Sequence, residues 1–424
     1  LENGAEEYQM GMRILHTADW HLGRKLEGRS RHDEQERVMD DICRIADEEA
    51  ADAVLIAGDV FDSYNPPAES EALFYRTMTR LADGGKRAVL VIAGNHDSPD
   101  RLIAADPYAR SLGIITLGYP KDIPQLYDAG IDRTACVEAA PSFVRIRLPR
   151  HDDLLTVLAL PYPSESRLRE LLTADIGDEE QAMLDYNYRV RDFLEQGARR
   201  FTPGAANIVA SHLYVDGGRE CESERPIQVG GVYTVDPMSF PPESVYVGLG
   251  HLHRDQDLYG RQERCIRYAG SVLQYSFSEA GQRKSVTIVE FEDGKCSYRA
   301  VPLTAGRMLQ QWTIDEGTDE LERRLALCSP DAWISISLVL DDPLPSDYLI
   351  NLRKAHPNIL HCVPTFRLKD GNGDGLAVDI ASLPLQEQFR RFVESKFHER
   401  PGDDVLRLFL EIAASGDTPD ESAQ

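Results

Sequence analysis

The sequence predicts an α/β protein, followed by a small α+β unit and a helical tail. Three observations carry that expectation. Short runs of Val, Ile and Leu recur through the first two thirds of the chain, stretches with helical periodicity alternate with them, and each run ends in Asp, Asn or His. At 424 residues the chain exceeds one average domain, so two or three folded units are expected.

Residues 1–11 are acidic and patternless, and are read as a remnant foreign to a natural chain starting at Met12. The first buried run is 13–18 (RILHTA). A helix is expected over about 30–49, where Val38, Ile42 and Ile45 share one face. The second run is 53–57 (AVLIA), and a second helix over 69–81 follows Pro66 and Pro67. The remaining runs are 88–93 (AVLVIA), 207–210 (NIVA) and 244–249 (SVYVGL). Runs this rich in Val, Ile and Leu read as buried strands.

From about Val286 the pattern turns β-rich, and the first domain is bounded at 12–304. A second unit, 305–375, contains a strong strand at 333–340, a helix over 346–355 and a strand at 359–366. Its glycine-rich end, 371–375, is a breaker. A helical tail occupies 384–412. There Leu385, Phe389, Phe392, Val393 and Phe397 form an apolar stripe, and a short helix over 403–412 carries Val405, Leu406, Phe409 and Ile412. Residues 413–424 are polar and expected to be disordered.

Composition narrows the function. The net charge of -25, from 46 basic against 71 acidic residues, argues against a broad basic face that grips nucleic acid. It leaves room for a phosphate substrate at a carboxylate-rich site charged by metal ions, and for a partner that helps hold DNA. The seven scattered cysteines include no C-x-x-C pair, so a reducing cytoplasm without disulfides is expected. No run reaches the roughly 18 apolar residues of a membrane span, and no signal peptide is visible.

The chemistry lies just beyond the runs. They lead in turn to Asp19-Trp20-His21, to Gly58-Asp59 and Asp62, to Gly94-Asn95-His96-Asp97, to Ser211-His212, and to Gly250-His251-Leu252-His253. In open α/β sheets functional groups gather beyond the carboxyl ends of strands, so five adjacent ends would fill one cleft. Residues two apart, such as Asp19 and His21, project to one side of extended backbone. Carboxylate, amide and imidazole donors suit manganese, iron or zinc. Two such ions roughly 3.5–4 Å apart would clamp a phosphoryl group, with Asp59 as the bridging carboxylate. Taken singly, each element has a plainer explanation: turn chemistry for Asn95-His96-Asp97, helix capping for a lone Asp, packing for a lone His. The argument rests on the set. His16 is assigned to packing, and His32, His151, His356, His361 and His398 lack a comparable context.

As a set, D-x-H, G-D-x-x-D, G-N-H-D, a later His and G-H-x-H resemble the calcineurin-like metallophosphoesterase superfamily. Within it, 13–24 (RILHTADWHLGR), 57–62 (AGDVFD), 93–98 (AGNHDS), 249–254 (LGHLHR) and 268–278 (YAGSVLQYSFS) are similar to the SbcD family of DNA nucleases, clearly so over 12–302. The resemblance implies two central β-sheets flanked by helices, with 305–375 as a capping domain. It implies two divalent metal ions, manganese foremost. Asp19, His21, Asp59 and His253 would hold the first, and Asp59, Asn95, His212 and His251 the second. His96 would contact the phosphate and protonate the leaving oxygen, with Asp97 orienting it, as water attacks phosphorus in line.

The resemblance further implies 3′-to-5′ exonuclease activity on duplex ends and endonuclease activity on single strands or hairpins. It implies a homodimer, with 66–81 and 99–112 as candidate contact segments, and an ATPase partner, SbcC, bound through the tail at Phe389, Phe392, Val393 and Phe397. Arg24, Lys25 and Arg31, near the first motif, are candidate DNA contacts. Two rivals share the pattern. A small-substrate phosphodiesterase on the same fold is one. Protein phosphatase activity is disfavoured, because Ser63 stands where those enzymes show Arg and Asp97 where they show Glu. The other rival is a non-catalytic scaffold, which would be expected to lack ligands; none is missing here.

Overall fold

The first apolar run forms β1 (Met12–Thr17), and its alternate residues enter two different cores, Ile14 into one and Leu15 into the other. The same division recurs in β2 (Ala53–Ala57) and β3 (Ala88–Ile92): Val54, Val89 and Val91 share the core of Leu15, and Leu55, Leu90 and Ile92 that of Ile14. A strand covered on both faces has no polar side to show, which is why these runs do not alternate. The intervening helices, α1 (His32–Glu48) and α2 (Ala68–Leu81), lie within two residues of their expected bounds and cover the Leu15 side with Val38, Ile42, Ile45, Leu73, Phe74 and Met78.

The computed structural model describes residues 11–164, 167, 179–224, 233–258, 265–292, 294–341, 344–345, 347–367, 377–378, 385–397, 401–402, 405–406 and 409. Two compact units divide at Leu309 and Gln310.

The first unit has two sheets. After β3 come β4 (Ile114–Leu117), β5 (Tyr127–Asp128), β6 (Ala135–Ala140), β7 (Phe143–Arg147), β8 (Leu155–Leu160), α3 (Glu179–Ala198) and β9 (Asn207–His212). Then follow β10 (Tyr246–Gly250), β11 (Gln256–Leu258), β12 (Cys265–Tyr268), β13 (Ser285–Glu292) and β14 (Lys295–Pro302). The first sheet runs β14-β13-β1-β2-β3-β4, with β1 to β4 parallel and β13 antiparallel to β1. The second runs β11-β12-β10-β9-β8-β7-β6-β5, with β8, β9, β10 and β12 parallel. Between the sheets lies the core of Ile14, Leu55 and Leu90 with Val144, Val157, Ile208 and Tyr246; Tyr186, Val190 and Leu194 of α3 cover the far side of the second sheet.

This corrects one expectation. The five motif-bearing strands are not neighbours in one open sheet: β1, β2 and β3 belong to the first, β9 and β10 to the second. The strands that build the second sheet's outer half, β5 to β8, have no counterpart in the sequence reading. β5 is two residues long, and β6 and β7 carry charged residues such as Glu138, Arg145 and Arg147; β8 is a buried run like the others that the sequence reading passed over.

The second unit is a four-stranded sheet in the order β15 (Leu309–Ile314), β16 (Trp333–Leu340), β17 (Ile359–Arg367), β18 (Ala377–Val378). Two helices, α4 (Thr318–Leu327) and α5 (Tyr348–Ala355), contribute Leu321, Leu325 and Leu352 to its core. The tail stripe is helical as α6 (Leu385–Phe397), and the Phe389 ring stacks on Phe409 with centroids 3.9 Å apart. The glycine run 371–375, His398, Ile412, residues 413–424 and the side chains of Leu385 and Phe397 lie outside the described residues. Among those described, no helix is long and apolar enough to cross a membrane, and all seven cysteines are free.

Candidate metal centre

Where β1 ends, the chain turns sharply instead of staying extended. Asp19 and His21 both have positive φ, 52° and 43°, as do Asp59 at 48° and His251 at 106°. The expectation that Asp19 and His21 align through extended backbone is therefore wrong. Left-handed residues reverse the chain so that both side chains face one point, a costly conformation for residues other than Gly. Hydrogen bonds between the β1 and β2 loops hold it: Asp19 N–H to the Gly58 carbonyl at 3.1 Å, His21 N–H to Asp59 at 2.9 Å, Leu22 N–H to Val60 at 2.9 Å.

Glycine is needed where the loops meet. A Cβ on Gly94 would sit 2.1 Å from Asp59 Oδ1, and one on Gly58 would sit 2.3 Å from His212 Nδ1. This closeness lets the two sheets share one set of side chains. From the second sheet, His212 places Nδ1 2.9 Å from the Ala57 carbonyl and Nε2 2.9 Å from Asn95 Oδ1. The backbone N–H of His251 donates to both Asp19 oxygens at 3.0 Å, and the His251 ring lies edge-on to His212. His253 Nε2 lies 3.0 Å from His21 Nε2.

The seven predicted ligands, Asp19, His21, Asp59, Asn95, His212, His251 and His253, thus converge in one buried cluster with His96. Candidate ligand atoms lie within 4.8 Å of one another in three overlapping groups: Asp19, His21 and His253; His21, Asp59 and His96; Asp19, Asp59 and His212. Asp59 is common to two of them. Asn95 and His96, at 8% and 7%, are its most exposed members, so the cluster opens to solvent on the β3 loop.

Electrostatics show what the cluster lacks. Burial, helped by Asp59, pushes the Asp19 carboxyl well above its usual range. Burial also opposes the charge of Asp59, but His212, followed by His96 and His21, overturns it and holds that carboxyl well below the usual range. His212 itself is drawn up to about 9, the pull of Asp59 outweighing burial. Burial holds His21 down to about 3 and His251 well below its ordinary value. Two buried carboxylates beside His21 and His251, whose charged forms burial disfavours, make a set suited to a cation. Oxygen and imidazole donors fit borderline divalent metals, and two nitrogens bound cis to one ion at about 2.1 Å would stand about 3.0 Å apart, as His21 and His253 do.

Two expectations need correction. Asp97 does not hold the His96 ring: its carboxylate accepts N–H bonds from Val60 at 3.1 Å, Phe61 at 2.9 Å and Gly94 at 2.8 Å, tying the β2 and β3 loops together. The partner of the His96 ring is the Asp62 carbonyl, 2.8 Å from Nδ1. Arg31 is not a surface cation. It is 2% exposed, paired with Glu34 at 2.7 Å and bonded to the Gln274 carbonyl. Arg24 lies near the mouth, 3.5 Å from Asp62 Oδ1 and 2.8 Å from the Ser223 carbonyl, and Lys25 is exposed.

Sequence reasoning missed Arg167, Ser223 and Glu279. Buried Arg167 donates to the carbonyls of Gly94 at 2.6 Å and Asp97 at 2.8 Å, clamping the β3 loop. Ser223 and Glu279 stand behind His253. Glu279 directly follows the 268–278 segment and so had a signal; Arg167 and Ser223 had none.

Comparison with known proteins agrees with this geometry. Residues 12–254, more than half of the chain, match the family described as calcineurin-like phosphoesterase. The chain is 42% identical to the SbcD subunit of nuclease SbcCD from Bacillus subtilis, over 96% of this chain and 100% of that protein. It is 35% identical to the SbcD subunit from Rhodobacter capsulatus, over 69% of each. With the SbcD subunit from Escherichia coli K12 it shares 30% identity, over 78% of this chain and 79% of the other.

Proposed function

Because the chain belongs to the calcineurin-like phosphoesterase family, and within it to the SbcD subunits of SbcCD nucleases, we propose that it is the nuclease subunit of a complex that processes DNA ends in double-strand-break repair and recombination. It is a metal-dependent phosphodiesterase. The observation that carries the reading is the convergence of Asp19, His21, Asp59, His212 and His253 on one buried point from two sheets.

In this reading Asp19, His21, Asp59 and His253 hold one metal ion and Asp59, Asn95, His212 and His251 the other. The ions, manganese in our proposal, supply positive charge to the phosphoryl group and lower the pKa of water. The chain's own groups do the rest. A carbonyl can only accept, so the bond to the Ala57 carbonyl fixes one hydrogen of His212 on Nδ1 and leaves Nε2, which faces Asp59 and Asn95, as the nitrogen that would give up its proton and offer its lone pair to a metal ion. The same rule applies to His96. With Nδ1–H committed to the Asp62 carbonyl, Nε2 is the free ring atom, and the ring acts as the acid in its imidazolium form, giving the Nε2 proton to the leaving oxygen and keeping the one on Nδ1. Asp97 and Arg167 keep that loop in place without touching the ring.

The proposed substrate is DNA, cut as a 3′-to-5′ exonuclease on duplex ends and as an endonuclease on single strands and hairpins. Arg24 and Lys25 are the proposed backbone contacts near the mouth. A net charge of -25 leaves much of the DNA grip to a partner, proposed to be the ATPase SbcC working with a homodimer of this chain in the cytoplasm. The unit at 305–375 is the proposed cap over the DNA path. The tail is the proposed SbcC contact, through Phe389, Phe392, Val393 and Phe397; Phe392 is 53% exposed.

The test is cleavage of an end-labelled duplex and a hairpin with manganese, with and without SbcC and ATP, using Asp59→Ala as the blank. Cleavage that needs manganese and Asp59 and rises with SbcC is expected. Turnover of a small phosphodiester alone would move the function to another substrate on the same centre.

A further inference from the structure

His253 is gripped from the side facing away from the cluster. Its Nδ1 lies 2.6 Å from Ser223 Oγ, and that hydroxyl lies 2.6 Å from Glu279 Oε1. Glu279 is paired with Lys284, whose Nζ also donates to the His253 carbonyl at 2.8 Å. Glu279 further accepts the Tyr275 N–H at 3.0 Å. The backbone is held as well: the His253 N–H donates to Glu224 Oε1 at 2.7 Å. Ser223 is 4% exposed and Glu279 fully buried, so water does not compete for these bonds.

Counting hydrogens decides the ring's state. A carboxylate paired with a lysine only accepts, so the Ser223 hydrogen goes to Glu279. The lone pairs of Oγ are then all that Ser223 offers His253, and Nδ1 must carry the hydrogen of their bond. Nε2 is left bare, and Nε2 is the atom facing His21 at 3.0 Å. Without Ser223, the nearest group to Nδ1 is Glu279 Oε1 at 3.6 Å, beyond hydrogen-bond reach, so the tautomer and ring angle are held far less firmly.

We propose that Ser223, backed by Glu279 and Lys284, is a positioning residue that fixes the tautomer and ring angle of His253 for metal binding. The inference rests on the metal-centre reading above.

Manganese is titrated calorimetrically into the metal-stripped full chain as wild type, Ser223→Ala and Ser223→Thr, with thermal unfolding of each metal-free protein as the check on folding. Two equivalents are expected for wild type. Ser223→Ala should unfold at the same temperature and bind one equivalent about 10- to 100-fold more weakly, with the other unchanged. Ser223→Thr, which restores the hydroxyl, should recover the lost affinity. Unchanged affinities in Ser223→Ala, or a loss that Ser223→Thr leaves in place, would overturn the proposal. If Ser223→Ala itself melts early, Glu279→Gln decides, and wild-type affinity in that variant overturns it. A wild-type chain that binds no manganese would instead sink the metal-centre reading, and this inference with it.

Discussion

His21 and His253, 232 positions apart in the chain, hold their Nε2 atoms 3.0 Å from each other. Removing either ring should empty one metal position and leave the other, because the proposed second set, Asp59, Asn95, His212 and His251, contains neither ring. His253→Ala is expected to bind one manganese equivalent where wild type binds two, and to cut duplex DNA at least about 100-fold more slowly. Two retained equivalents would mean that this pair is not a ligand pair.

His96 should separate chemistry from binding. Its ring is held by a backbone carbonyl and it is among the most exposed members of the cluster. His96→Ala should keep both metal equivalents and lose about 10²- to 10⁴-fold in turnover, the range of a missing general acid. Equal loss of metal would make His96 a ligand.

Gly94 is a steric requirement. A methyl there would meet Asp59 Oδ1 at 2.1 Å and Asp59 N at 2.2 Å, and neither can retreat without breaking the loop. Gly94→Ala should cost about 1–3 kcal/mol in urea unfolding and weaken metal binding. At Gly28 a Cβ would meet nothing within 4 Å and φ is +75°, so Gly28→Ala should show only a backbone penalty of about 1 kcal/mol. Similar losses at both sites would contradict the tight packing.

His16 gives a pH signature away from the ligands. Its Nδ1 lies 2.8 Å from the Tyr246 hydroxyl, and burial, then the charge of Arg267, lower its pKa to about 3. The unfolded chain takes up a proton near pH 6.5 while the folded chain does not. Stability from this group is therefore full above pH 6.5 and falls as pH drops toward 3. In metal-free protein His16→Gln should remove about 2 kcal/mol of the stability lost between pH 7.5 and 5. Parallel pH curves for the two proteins would show that His16 titrates normally.

Much of this was legible, and the residues explain why. Runs such as 53–57 announce themselves because both faces of β2 are buried, and Asp59, Asn95 and His253 follow their runs within a few positions. Two kinds of information were hidden. One is pairing at long range, which splits the five strands between two sheets and puts Ser223 behind His253. The other is local conformation: Asp19-Trp20-His21 reads as extended chain, and only its bonds to Gly58 and Asp59 reveal the turn. Arg31 shows the same limit. A basic residue beside a motif looks like surface until Glu34 and Gln274 are seen around it.

The place of β13 in the first sheet has a consequence for how the protein is made. β1 leaves the ribosome first, yet its antiparallel neighbour, residues 285–292, arrives after all the motifs have been synthesised. His212, His251 and His253 come from a sheet that is itself unfinished until β12 at 265–268. Between residues 95 and 253 a nascent chain therefore carries Asp19, Asp59 and Asn95 without the full set of imidazoles that the second sheet brings opposite them. Hydrolytic competence arrives in one late step, and chains that stop early end without an assembled centre.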